Sequence, residues 1–69
     1  PDNQQFMGFL LKNLGLSLVE TRKYEESLVK LKESLVLLKK FLKKNDPEIL
    51  FLKEEIVKLK NLIKNKNNI

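Results

Sequence analysis

Two adjacent carboxylate pairs, Glu25/Glu26 and Glu54/Glu55, are the residues of this chain that offer general acid–base chemistry. Such chemistry needs carboxylates that converge on one reacting group, or one carboxylate beside a histidine or another nucleophile. Consecutive helical residues point about 100° apart, so neither pair converges. The chain has no His and no Cys, which removes the usual ligands and nucleophiles of zinc, haem and thiol chemistry. No loop gathers acids and glycines as a calcium site does, and no glycine-rich loop is present to cradle a phosphate. The acids read as solvated side chains on helix surfaces. The expectation is a non-enzyme, with no catalytic, cofactor-binding or metal-binding residues and no cofactor.

The bases offer a different chemistry. Fourteen Lys and Arg against nine Asp and Glu give a net charge of +5. The excess lies in 22–44, which holds eight bases (Arg22, Lys23, Lys30, Lys32, Lys39, Lys40, Lys43, Lys44) and three acids. A basic patch attracts the phosphates of nucleic acid or of an acidic membrane, without sequence preference. Base stacking needs aromatics interleaved with the bases, and the lysines are read here as lacking them. Arginine is nearly absent, and Ala is missing altogether while Lys, Leu and Asn abound. That pattern fits the coding bias of an AT-rich genome and supplies lysine without selection for phosphate. Contact with nucleic acid or acidic membrane is therefore kept as an alternative only.

Sixty-nine residues make one small unit whose core is modest. The chain opens on Pro1 rather than Met, and the expectation is a fragment of a larger protein. No apolar run reaches the length of a membrane span, no signal peptide is evident, and the lack of Cys gives no sign of an oxidising compartment. The expected location is cytoplasmic.

Helical periodicity accounts for nearly all of the chain. After a frayed 1–5, with Asp2 or Asn3 as a helix cap, the apolar residues of 6–20 are too dense for a one-faced helix. Gly8 and Gly15 stand seven apart on one face, and glycine inside a helix costs about 1 kcal/mol, so a close helix–helix approach is expected there. A second helix is expected over 24–43, with Glu25 and Glu26 in its first turn and Lys39, Lys40, Lys43 and Lys44 in its last turns, both favourable to the helix dipole. Ser27 and Ser34 would let a neighbour come close. Asp46-Pro47-Glu48 forms a strong start signal for a third helix over 47–64. The Asn- and Lys-rich 65–69 reads as a disordered tail.

The spacing of Leu11, Leu14-Gly15, Leu18, Tyr24, Ser27, Leu31 and Ser34 resembles the tetratricopeptide repeat (TPR), a helix-turn-helix unit. The longer second helix closing on Asp-Pro-Glu resembles the variant of kinesin light chains. Two features depart from the pattern. Arg22 and Lys23 stand where a turn glycine is usual, and no Pro occurs near Lys39. The resemblance implies an all-α fold: an antiparallel helix-turn-helix with a third, capping helix over helix two, as a fragment of an α-α superhelix. It also implies a protein–protein interaction module with a scaffold role, binding a peptide or partner helix on the exposed face of helix one. Projected here, that face carries Phe9, Lys12, Asn13, Leu16, Val19 and Glu20, with Asn13 able to pair with a ligand's main chain and Lys12 with a carboxylate. Leu14, Gly15, Tyr24, Ser27, Leu31 and Ser34 would be scaffold.

Two further readings stand beside this one. A three-helix domain similar to the microtubule-interacting-and-transport family would dock a partner helix between its helices. Self-association through helices two and three would cover Val29, Val36, Leu50, Phe51 and Val57.

Overall fold

A computed structural model describes residues 3–67. The protein is all-α: α1 (Gln4–Glu20), α2 (Tyr24–Leu38) and α3 (Pro47–Asn67). The helices pack in sequence order, α1 on α2 and α2 on α3, in a slab 47 × 22 × 14 Å.

The α1–α2 seam is built from two repeats of one contact. Gly15 faces Leu31 and Gly8 faces Leu38, each pair one heptad from the other in antiparallel register. A Cβ at Gly15 would fall 2.6 Å from Leu31 Cδ2, and one at Gly8 would fall 2.8 Å from Leu38 Cδ2, so any larger residue requires the buried leucine facing it to shift. Beside each glycine a serine closes the seam. Ser27 Oγ donates to the Gly15 carbonyl at 2.6 Å, and Ser34 Oγ to the Gly8 carbonyl at 2.7 Å. Both hydroxyls are fully buried and would be costly without a partner. Among the described residues no buried side-chain polar atom lacks one.

Leu31 and Leu38 also belong to the core shared with α3, where Ile49, Leu52, Ile56 and Leu59 complete the buried set. Tyr24, Leu28 and Leu35 of α2 pack against it half-buried, as do Phe9 and Val19 of α1. The 3- and 4-residue spacing of 49, 52, 56 and 59 puts those four on one stripe of α3, and that stripe lies mainly on α2. At about 1.5 Å per residue, the 21 residues of α3 outrun the 15 of α2.

Helix ends follow local chemistry more closely at some points than at others. Asp46 caps α3, its Oδ1 accepting the Glu48 N–H at 2.9 Å while its carbonyl accepts the Leu50 N–H; Pro47 fills the first helical position, where an N–H is not needed. At the start of α1, Asn3 holds the cap position without a side-chain bond, and Asp2 lies outside the described residues. α2 stops at Leu38 instead of continuing to 43. Lys39, Lys40, Lys43 and Lys44 therefore belong to the connection 39–46, and none lies in the last turn of the helix. Had the helix continued, Lys39 and Lys40 would have met Lys43 and Lys44 at i,i+4, a like-charge spacing that destabilises helices. It would also have run past α1, which begins at Gln4 opposite Lys40. The turn instead folds Leu42 back onto the core. At the other end of the chain α3 continues through 65–67, expected as tail; residues 68 and 69 lie outside the described residues.

The α1–α2 turn works without glycine. Arg22 N–H donates to the Val19 carbonyl and Lys23 N–H to the Leu18 carbonyl, at 3.0 and 2.9 Å. This paired closure places one residue in the left-handed region, and Arg22 occupies it at φ 62°. A side chain there costs about 1 kcal/mol. Arg22→Gly should relieve that cost, offset in part by greater freedom of the unfolded chain. The expected net gain is at most about 0.6 kcal/mol, read as a Tm rise of up to roughly 5 °C. A fall in Tm would contradict the turn geometry.

Candidate functional site

α1 is the most apolar helix of the chain, yet the only residues it fully buries are its two glycines. Facing α2 with glycines leaves its large side chains for its other sides. Phe6, Met7, Leu10 and Leu14 are 44–65% exposed. Met7, Leu10 and Leu14 recur at spacings of 3 and 4, so they share a stripe, with Leu11 and Leu18 half-buried beside it. This stripe lies on the flank away from α3. Where it meets α2, an apolar groove of about 380 Å³ is lined by Leu11, Val36 and Leu37, with Lys32 and Glu33 at its rim. Leu14, expected as scaffold, is thus an exposed member of this flank.

The face expected to carry a peptide divides into two groups. Phe9 and Val19 lean on the core shared with α3, and Leu16 is half-buried. Lys12 is turned inward. Its Nζ donates to Glu48 Oε1 at 2.5 Å and lies 5.6 Å from the centroid of Phe9 and 5.7 Å from that of Phe51, leaving the side chain 17% exposed. A cation between two rings and a carboxylate is held on three sides. This ammonium ties the first turn of α3 to α1. Asn13 and Glu20 remain exposed. The six residues therefore do not form one open surface, because α3 occupies part of it.

Of the acid pairs, Glu25, Glu26 and Glu54 are exposed, and Glu55 accepts from Lys58 at 3.2 Å. Among the described residues no three of His, Cys, Asp and Glu come together as a metal site. No helix among them is long and apolar enough to cross a membrane.

Sequence reasoning missed one element. Phe41 stands between Lys40 and Lys43 and is 40% exposed, so an aromatic does interleave these lysines. The Lys-Lys-Phe-Leu-Lys-Lys string carries that signal, but a helix through the segment would give Phe41 no special place. The residues Val29, Val36, Leu50, Phe51 and Val57 are all exposed.

No protein family, curated protein or solved structure matches the chain.

The Lys12–Glu48 link is testable by a double-mutant cycle with Lys12→Met and Glu48→Gln. Partly exposed pairs contribute up to about 1 kcal/mol. The expected coupling in urea unfolding is about 0.5–1 kcal/mol at low salt, shrinking in 1 M NaCl. Zero coupling at low salt would mean that the contact does not hold α3.

Proposed function

We propose that the chain is a protein–protein interaction module whose α1 receives a partner helix on the flank opposite α3. The observation that carries this reading is the exposure of Met7, Leu10 and Leu14 on a helix that fully buries nothing but glycine. Contiguous apolar surface of that kind marks an interaction site. The stripe has the 3- and 4-residue spacing that receives an amphipathic helix, and the adjoining groove gives such a helix a second wall on α2. The arrangement is supported by what α3 does on the other flank, where a helix lies against the same pair.

In this reading the chain is a unit of a helical repeat assembly resembling the tetratricopeptide repeat, and it acts as scaffold. The partner is a helix of a neighbouring unit or of a second protein. Asn13 and Glu20 supply polar contacts beside it. Lys12 holds α3 and would bind a ligand's carboxylate only by giving up Glu48.

Photocrosslinking separates this from a bare surface. Benzoylphenylalanine placed at position 14 should give a discrete adduct in cells, or a covalent dimer if the partner is a second copy, while the same group at position 60 on α3 should not. Adding Leu10→Asp beside the probe should abolish the adduct while shifting Tm by no more than a few degrees, because Leu10 is exposed. Equal adducts from positions 14 and 60, or none from 14, would refute the docking flank.

A further inference from the structure

The connection 39–46 gathers charge and apolar surface at one end of the slab. Lys39, Lys40, Lys43 and Lys44 fall within six residues that hold no acid. The next two acids along the chain are engaged elsewhere: Asp46 caps α3, and Glu48 accepts from Lys12. Lys40 donates to the amide oxygen of Gln4 at 3.4 Å. Among the described residues Lys39, Lys40, Lys43, Lys44 and Lys53 have no carboxylate partner. Lys39, Lys44 and Lys53 ring a groove of about 280 Å³ whose floor is Leu42 and Ile49. Phe41 points outward where Leu42 points in, and the Lys40–Gln4 contact brings the first turn of α1, with Phe6 65% exposed, to the same end.

We propose that this end docks on an anionic phospholipid bilayer, with the lysines meeting headgroup phosphates and carboxylates and Phe41 and Phe6 entering the interface. The complementarity is of two kinds. Five ammonium groups without a carboxylate gather at one end, and clustered lysines add attraction to a negative leaflet one by one. Exposed aromatics among them give the apolar insertion that electrostatics alone lacks. A nucleic acid would use the same charges, but two phenylalanines at one tip do not form the stacking track along which successive bases lie. The site is distinct from the α1 flank, so either reading can fail alone.

Cosedimentation with sucrose-loaded vesicles tests it. At 50 mM NaCl the chain should bind 3:1 phosphatidylcholine:phosphatidylserine vesicles and not pure phosphatidylcholine, and 500 mM NaCl should release it. Lys43→Gln with Lys44→Gln should weaken binding roughly 25-fold, at about fivefold per lysine. Phe41→Ser should weaken it several-fold, with helicity checked by circular dichroism. Lys60→Gln with Lys64→Gln removes equal charge from the exposed far part of α3 and should change affinity less than threefold. Three outcomes would each overturn the proposal. These are no binding to the serine lipid at low salt, equal loss in both lysine pairs, and tighter binding of single-stranded RNA that is indifferent to Phe41→Ser.

Discussion

Two helices of this protein touch backbone to side chain, and the rest of the structure depends on that approach. Gly8 and Gly15 give α1 a bare face, and Leu38 and Leu31 enter it. The glycines weaken α1 as an isolated helix, so the helix is defined by its partner more than by its own propensity. The serines add direction. A hydroxyl donated to a glycine carbonyl needs the two axes at one distance and one register, since a slip of one residue would bury an unpaired polar group. Because the contact occurs twice, seven residues apart on both helices, it fixes position along the axis as well as separation.

The seam also decides where the apolar surface goes. Leu31 and Leu38 serve two interfaces, since the same side chains that fill the glycine face also form part of the core under α3. α3 is therefore held chiefly through α2, and Lys12 ties it to α1 through Glu48 and the Phe51 ring. Met7, Leu10 and Leu14 of α1, on the flank away from α3, stay largely open to water. The functional reading grows from this: a helix that spends its inner face on glycines keeps its leucines for something else.

Parts of this were legible in the sequence. The seven-residue steps of Gly8 and Gly15 and of Ser27 and Ser34 announced a close contact, and their equal lengths carry the register as well. Asp46-Pro47 marked the start of α3 because capping is a local event. The end of α2 was not legible. Leu38 and Leu42 keep the helical spacing and no Gly or Pro intervenes; the stop falls where α1 begins, beside the Lys40–Gln4 contact, a tertiary fact. Lys12 is another such case. Its partner lies 36 residues away, and nothing near it in sequence distinguishes a tethered lysine from a free one. Leu14 read as scaffold because it fills the Leu-Gly position of the resemblance, and spacing alone does not show that it stays 46% exposed.

The glycine seam is tested most directly by thermal unfolding of Gly15→Leu beside Ser17→Leu. Position 15 is closed by Leu31 at 2.6 Å, whereas Ser17 is exposed on the same helix. Overpacking costs about 1–3 kcal/mol, occasionally more, and a chain of this size loses about 4–8 °C in Tm per kcal/mol. A close-packed seam predicts a fall of about 4–24 °C for Gly15→Leu, well beyond the change for Ser17→Leu, which should stay within a few degrees. Equal melting temperatures for the two variants would contradict it.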